Sequence, residues 1–493
     1  MNKLFMHNAK GVPIRRIVVF ALIAVVIVLW MILPVRGGQF GPDESDVMLT
    51  AKSILKGEGF PPIAPGGHFG IPYGNYSQVW NTLLYALTGF NLGLALLVSS
   101  IVQLAGPFLL AGYCRGKKYA IWVFLFALTS PLAICYAMAG LWTIQFLIPL
   151  SALVLYLGRS GCPKTMWREF TIGLLLGCMV GIHLQTIPFV AAIFIWRVWV
   201  TKRIGSILSM GAGIFLALMP YLIGLWQIRD QLSVSINNAN YPGGTNGIVD
   251  FLLVLTGIFR YLGVPGDMRL LPPDSLLGSI EDGLSQITIV LSIALLVLGL
   301  YQFRKSGWKN FRAEHHLSPF ALCIVFYVPF GFITRTGLTS HNGMAFWWFA
   351  PLVIPIIMMN LSQKRAGIWC MSLLIGFNLM VGMIEYVPRL VNGTQASYAY
   401  GLGPSWWEYE EVASTLCAEI KNQTPQQDVV TVEMSGDPWN ERIRYILANL
   451  IKVKHPDCAQ RVQLIWSDST LGRVLRVEPD PDEIHLRVVW VTR

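Results

Sequence analysis

The chain has 493 residues, of which 54% are hydrophobic and only 13% are charged. A soluble globular domain carries about 25% charged residues, so the composition excludes that class, and several long apolar runs indicate a polytopic membrane protein. The formal net charge of +10 does not indicate nucleic-acid binding, because the basic residues are spread over short loops between apolar segments.

About eleven membrane-spanning helices fit the hydropathy. The first lies at residues 17–35; its apolar run is too long for the h-region of a signal peptide and lacks a small-x-small cleavage site, so we predict that it is retained. The others are predicted near residues 90–113, 119–135, 141–158, 170–184, 186–199, 204–227, 283–301, 317–333, 344–361 and 367–386. Pro188 interrupts the short runs around residues 170–199, which indicates a broken helix pair.

Short loops rich in Lys and Arg recur at every second connection. The positive-inside rule then predicts a cytoplasmic N-terminus, with the long segments 36–89 and 227–282 on the external face. We divide the chain into a transmembrane domain of residues 1–386 and an external, periplasmic domain of residues 387–493. Compact basic loops without a long cytoplasmic domain are typical of a bacterial inner membrane.

The C-terminal segment differs from the rest of the chain, because its sequence predicts both helices and strands. Helices are predicted at residues 406–420 and 440–451, and strands at 429–434, 462–466, 473–477 and 484–491. These elements suffice for a small α/β domain. Cys417 and Cys458 both lie there, and the pattern fits a disulfide or two buried thiols equally well. Segment 36–89, in contrast, contains many Pro and Gly residues, and much of it is predicted to be loop.

An acidic cluster, Phe40-Gly-Pro-Asp-Glu-Ser-Asp46, follows the first predicted span. The apolar residues that come after it have helical spacing and predict a short amphipathic helix along the membrane surface. Asp43 and Glu44 would begin this helix, where its dipole favours anions. Both readings stay open: ordinary helix capping, or a carboxylate that accepts a proton. Asp46 is expected to be a solvated helix residue.

Candidate substrate-binding residues are spread over the external loops. Arg260 and Arg269 flank a Gly-Val-Pro-Gly turn, and Arg335 begins a short polar loop that ends at His341. Arginine binds phosphate oxygens bidentately, although a lipid headgroup or a structural ion pair would also explain each one. We take Arg335 as the first choice, because its loop is short and close to the membrane.

Three further candidates lie in the first external segment. His68, in a glycine-rich stretch, could hold an acceptor or ligate a metal, or have no function. Tyr73 and Tyr76 could stack on a sugar, although aromatic residues at a membrane interface need no such explanation. The eight cysteines show no CxxC pair and no metal-ligand spacing. No phosphate-binding loop or dinucleotide fingerprint occurs, which argues against an ATP-driven transporter or a cytoplasmic kinase.

The stretch Pro42-Asp-Glu44, followed by Ala51-x-x-Ile54-Leu55-x-Gly57-x-Gly59-Phe60-Pro61, resembles the first external loop of GT-C glycosyltransferases. Its most similar branches are the protein O-mannosyltransferases and the lipid A aminoarabinose transferases. The resemblance implies an α-helical, GT-C-like polytopic fold with an external C-terminal α/β domain. It also implies a polyprenyl-phosphate-linked sugar donor and inverting transfer to a hydroxyl of a glycan, lipid or protein.

The same resemblance assigns the general base to Asp43, with Glu44 as its neighbour. Many relatives carry a second acidic residue around the third and fourth spans, where this chain has Gln145, and a neutral amide cannot act as a base. The departing phosphate needs positive charge or a metal ion, which leaves a divalent cation open as a cofactor.

Two other functions compete with this hypothesis. A transporter or flippase of lipid-linked or polar substrates would be expected to show repeated halves and polar residues at the bilayer midplane, and no clear repeat is found. The other competing function is a non-catalytic scaffold that uses the C-terminal segment as its binding module. The sequence identifies neither the sugar nor the acceptor.

Overall fold

A computed structural model describes most of the chain. It covers residues 14–38, 40, 42–61, 63–68, 71–130, 134, 143–159, 165–232, 318–334, 348–360, 364–392, 406–423, 430–434, 439–460, 462–466, 473–479 and 486–492, with scattered residues between 275 and 301. The first twelve helices, numbered in chain order, are α1 Ile14–Gly37, α2 Pro42–Leu55, α3 Tyr76–Thr88, α4 Leu92–Tyr113, α5 Ala120–Leu128, α6 Leu147–Gly158, α7 Met166–Ile182, α8 Ile187–Thr201, α9 Ile204–Gln227, α10 Ser318–Thr334, α11 Phe349–Asn360 and α12 Lys364–Asn392.

The C-terminal segment contains every helix and strand predicted for it. Its helices are α13 Trp406–Gln423, α14 Trp439–Lys454 and the short α15 Pro456–Ala459, and its strands are β3 Val430–Met434, β4 Val462–Trp466, β5 Arg473–Pro479 and β6 Leu486–Thr492. The sheet order is β4-β3-β5-β6. Strand β3 runs parallel to β4 and β5, whereas β5 and β6 are antiparallel. A disulfide joins Cys417 to Cys458.

Four stretches of described helix are long and apolar enough to cross a membrane: Leu92–Tyr113, Leu184–Thr201, Ile204–Gln227 and Arg365–Ile384. Three shorter apolar helices, Ile23–Val35, Leu147–Gly158 and Ser318–Tyr327, accompany them. Most of the span predicted at 283–301 lies outside the described residues, so the count of eleven stays a prediction.

Helices α7 and α9 pack closely because glycines line their contact. A Cβ added to Gly173 would lie 2.1 Å from the carbonyl oxygen of Met210, and one added to Gly177 would lie 2.7 Å from that of Ile214. Small residues at such spacing let membrane helices approach closely. On its other side α9 exposes large apolar side chains such as Ile204 and Phe215, as expected for a surface in contact with lipid.

The predicted broken helix pair is confirmed. Helix α7 ends at Ile182, a 3-10 turn covers Leu184–Thr186, and Pro188 lies in the first turn of α8, where its missing N–H costs nothing. A buried ion pair joins the two helices: Arg197 Nε lies 3.1 Å from Glu169 Oε2.

Segment 36–89 contains more regular structure than predicted. It contains α2, α3 and an antiparallel hairpin of β1 Ile63–His68 and β2 Ile71–Gly74. The Pro and Gly residues concentrate between the two helices and in the hairpin, while α3 has buried residues at helical spacing. Gly74 brings the hairpin against α7, since a Cβ there would lie 2.3 Å from the carbonyl oxygen of Gly181.

Candidate active site

The N-terminus of α2 presents two carboxylates in different environments. The helix begins at Pro42 and has Asp43 and Glu44 in its first turn, which confirms the predicted helix and its acidic start. Asp43 is exposed, whereas Glu44 is only 6% exposed. Asp43 is therefore the carboxylate of this pair that a substrate can reach.

Glu44 lies close enough to Tyr85 on α3 to interact with it electrostatically. Burial of the phenol, and then the Glu44 carboxylate, raise the pKa of Tyr85 far above its ordinary value. The phenol consequently stays protonated, since the phenolate would be both desolvated and next to a negative charge. Tyr85 can thus serve only as a neutral group behind the acidic turn.

The third carboxylate of the cluster, Asp46, binds the C-terminal segment. The hydroxyl of Tyr445 on α14 donates a hydrogen bond to Asp46 Oδ1, and Asn449 Nδ2 donates to the same oxygen over 3.0 Å. Asn449 also donates to Ser45 Oγ over 3.2 Å. Asp46 lies in the helix as expected, but it is half-buried rather than fully solvated, because a helix about 400 residues further along the chain contacts it.

The other end of α2 contacts the same helix. Lys52 Nζ donates to the backbone carbonyls of Lys452, over 3.1 Å, and Val453, in the last turn of α14. Burial, and then the charge of Lys56, lower the pKa of Lys52. A cation at these carbonyls complements the negative end of the α14 dipole.

Helix α3 lies along α2 and contributes buried polar side chains. Gln78 Nε2 donates to the Val47 carbonyl over 2.8 Å, which joins the two helices. Asn81 is fully buried, and in the described part of the chain neither of its amide atoms has a hydrogen-bond partner. Sequence reasoning missed this polar face because it assigned α3 to a loop; the helical spacing of Gln78, Asn81 and Tyr85 was the available signal.

Gln145 lies close to the acidic helix. Its 3-10 turn, Thr143–Phe146, packs against both α2 and α3. The Gln145 side chain is buried and accepts a hydrogen bond from Gln103 Nε2 over 2.7 Å. The residue found where many relatives carry an acid is thus near the acidic turn, but it is neutral and bonded to a neutral partner.

The other predicted site residues are placed as follows. The Tyr76 hydroxyl donates to the Ala217 carbonyl of α9, and its ring covers Gly181, so this side chain holds α3 on the helix bundle. His68 ends β1 and Tyr73 lies in β2. Arg260, Arg269, Arg335 and His341 lie outside the described residues. The substrate contacts of all seven residues stay predictions.

No group of three or more His, Cys, Asp or Glu side chains that could hold a metal ion occurs within the described ranges. A divalent cation therefore stays a prediction.

Solved structures identify the fold. No protein-family model matches the chain, and neither does any curated protein. The crystal structure of ArnT from Cupriavidus metallidurans in the apo state matches with a TM-score of 0.55 and 11% sequence identity, over 97% of this chain and 98% of that one. The chain has a GT-C fold. ArnT bound to undecaprenyl phosphate matches with a TM-score of 0.53 and 12% identity, over 96% of this chain and 97% of that one.

The GT-C fold agrees with the resemblance seen in the acidic loop. ArnT is an aminoarabinose transferase, from one of the two branches that the loop resembles. At 11% identity the match concerns the fold rather than the substrate. Together with the apolar helices, it makes this chain an integral membrane protein and confirms the predicted α-helical polytopic architecture.

Proposed function

We propose that this protein is a membrane glycosyltransferase that transfers a sugar from a polyprenyl phosphate to an acceptor hydroxyl. The observation that carries the proposal is the exposed Asp43 in the first turn of α2, beside the buried Glu44, within a GT-C fold. A hydroxyl nucleophile needs a nearby proton acceptor, and an exposed carboxylate at a helix N-terminus suits that role.

The proposed reaction is a single displacement. The acceptor oxygen attacks the anomeric carbon and its proton passes to the Asp43 carboxylate. The bond between the anomeric carbon and the phosphate oxygen breaks, and the polyprenyl phosphate leaves with the electron pair, so the anomeric configuration inverts. Glu44 supports Asp43 from the buried side. Arg335, with Arg260 and Arg269 as further candidates, neutralises the departing phosphate.

The donor class is suggested by the relative that was crystallised with undecaprenyl phosphate. The distribution of Lys and Arg supports a site on the external face, with the N-terminus in the cytoplasm and the C-terminal segment in the periplasm of a bacterial inner membrane. The acceptor is a glycan, lipid or protein hydroxyl reached from that face, and membrane lipids surround the helices.

Mass spectrometry of lipids, surface glycans and secreted proteins tests the proposal. Cells lacking the gene are compared with cells that express the wild type, Asp43→Asn or Glu58→Gln. Glu58 is the matched control, because it is an exposed carboxylate shortly after the end of α2. We expect one sugar modification to disappear without the gene and with Asp43→Asn, and to return with Glu58→Gln.

All variants must reach wild-type levels in the membrane for this comparison. Normal transfer by Asp43→Asn would overturn the assignment of the base. Movement of a lipid-linked substrate across proteoliposomes, without any sugar transfer, would instead identify a transporter or flippase.

A further inference from the structure

Helix α14 of the C-terminal segment runs beside the acidic helix α2. Asn449 binds Ser45 near the start of α2, and Lys52 binds the carbonyl of Val453 near the end of both helices. These contacts follow the same N- to C-terminal direction in both helices, so α2 and α14 run roughly parallel. This polar pairing extends from the turn that carries Asp43 to the last turn of α2.

Apolar packing surrounds the same contact. One buried cluster joins α2 with α13 and α14 and also includes residues of α3 and α4; its members include Met48, Ala51, Leu84, Leu92, Leu416, Leu447 and Leu450. Met48 and Ala51 are completely buried. Helix α2 is therefore enclosed between the helix bundle and the C-terminal segment, and only part of its surface reaches solvent.

The C-terminal segment also contacts the residues just before α2. The backbone N–H of Trp406, the first residue of α13, donates to the carbonyl of Gly38 over 3.3 Å. The Trp406 indole donates to the carbonyl of Val35 over 3.0 Å, and the ring of Phe40 meets that of Tyr409 edge to face. The C-terminal segment thus fixes the connection between α1 and α2.

The contact between α14 and Asp46 bears on Asp43, because the two carboxylates lie close together on α2. Asp43 and Asp46 are three residues apart on one helix, where like charges destabilise each other. Tyr445 and Asn449 both donate to Asp46, which holds that charge in place. The hydrogen bond to Asp46, burial and the nearby charge of Asp43 raise the pKa of Tyr445, so its phenol remains a donor.

We propose that Tyr445 and Asn449 are positioning residues for the transfer reaction: through Asp46 and Ser45 they fix the orientation in which α2 presents Asp43 to the acceptor hydroxyl. The inference rests on the proposed function. It makes the C-terminal segment part of the catalytic apparatus rather than a separate binding module. Since neither side chain contacts substrate in this scheme, their loss lowers kcat while KM for the donor changes little.

The experiment uses the full-length protein in liposomes. The donor is the total polyprenyl-phosphate-linked sugar extracted from cells lacking the gene, and membranes of those cells supply the acceptor. We expect Tyr445→Phe and Asn449→Ala together to lower kcat about 10- to 100-fold, the size of effect that a misplacement of about 1 Å has on a reacting group. The KM for the donor is expected to stay within about twofold.

Exchanging the amide and the carboxylate between positions 449 and 46 tests the hydrogen bond between them specifically. Asn449→Asp places two carboxylates opposite each other and is expected to be the most damaging single change. Adding Asp46→Asn restores one carboxylate and one amide and should recover most of kcat. Lys454→Gln is the matched control on α14, because it removes an ion pair with Glu410 of α13 and no contact with α2.

A second measurement does not depend on catalysis. In Asp43→Cys protein, the rate at which a polar maleimide modifies the new thiol reports how α2 presents this position. We expect Asn449→Asp to change that rate severalfold and Asp46→Asn to restore it. Unchanged kcat and unchanged labelling in every Tyr445 and Asn449 variant, with Asp43→Asn inactive, would overturn the inference alone. Full activity of Asp43→Asn would overturn the assignment of Asp43 as the base, and the inference with it.

Discussion

Gln103 on α4 donates its side-chain amide to Gln145 over 2.7 Å, and both side chains are buried. Gln145 lies in the 3-10 turn that packs against the acidic helix. A carboxylate at the buried position of Gln145 would have to be desolvated, which opposes its ionisation. The amide pair avoids this cost, and the proposed proton acceptor is the exposed Asp43 of α2 instead.

The first prediction concerns this pair. Gln145→Leu leaves the buried donor of Gln103 without its acceptor, and we expect the free energy of unfolding to fall by about 1–3 kcal/mol. Thermal unfolding in detergent measures the change. The double variant Gln103→Leu/Gln145→Leu should recover most of the loss, because the amide donor of Gln103 is then removed together with its acceptor. Equal losses in the single and double variants would refute the explanation.

The second prediction concerns the ion pair between α7 and α8. Arg197 binds both carboxylate oxygens of Glu169 and lies 2.5 Å, through Nη1, from the carbonyl oxygen of Gly158. Arg197→Met strands a buried carboxylate, so the free energy of unfolding should fall by about 3–5 kcal/mol. Adding Glu169→Leu removes that charge and should restore much of the stability. Detergent melting curves test this, and a double variant no better than the single one would contradict it.

Helix α2 and the break between α7 and α8 were predictable from the sequence, because both depend on local patterns. Apolar spacing after Pro42 predicted α2 with Asp43 and Glu44 in its first turn, and a proline at residue 188 predicted the break between α7 and α8. Helix α3 was missed because the Pro and Gly residues of the neighbouring hairpin dominated the interpretation of the whole segment.

The contact between Asp46 and Tyr445 was not predictable in this way. It joins residues separated by 399 positions, and hydropathy or helical spacing carries no information about such a pairing. The same applies to the disulfide, whose two cysteines fitted a bond and two thiols equally well until the fold brought them together. Arg335, by contrast, stays a prediction because it lies outside the described residues.

The third prediction concerns that disulfide. Cys417 and Cys458 are 41 positions apart, and closing a loop of this length stabilises a fold by about 4 kcal/mol in the chain-entropy treatment. We expect Cys417→Ser/Cys458→Ser to lower the free energy of unfolding of the C-terminal segment by up to about that amount. A reducing agent should shift the wild-type transition towards that of the double variant and leave the variant unchanged. A wild-type unfolding transition that does not change with the reducing agent would argue against the disulfide.

The fourth prediction concerns pH. Burial, and then the neighbouring Lys454 charge, lower the pKa of His455 below its ordinary value, against the smaller opposing effect of Glu410. The folded C-terminal segment then binds this proton less readily than the unfolded chain does. Its stability is complete above about pH 6.5, the ordinary histidine pKa, and falls as the pH drops from there through the folded-state pKa.

Limited proteolysis at pH 7.5 and pH 5 measures this dependence. Cleavage between α13 and β4 should accelerate at pH 5, and His455→Gln should reduce the acceleration. An identical pH response in His455→Gln would show that other groups cause it.

The pairing of Lys52 with Val453 has a consequence for biosynthesis. The two residues are 401 positions apart, so at about 5–20 residues per second the ribosome makes the partner of α2 on the order of 20–80 s after α2 itself. During that interval the acidic helix has one of its two packing surfaces missing. A nascent chain that ends just after α12 therefore lacks the partner of the acidic helix, and translation through α14 supplies it.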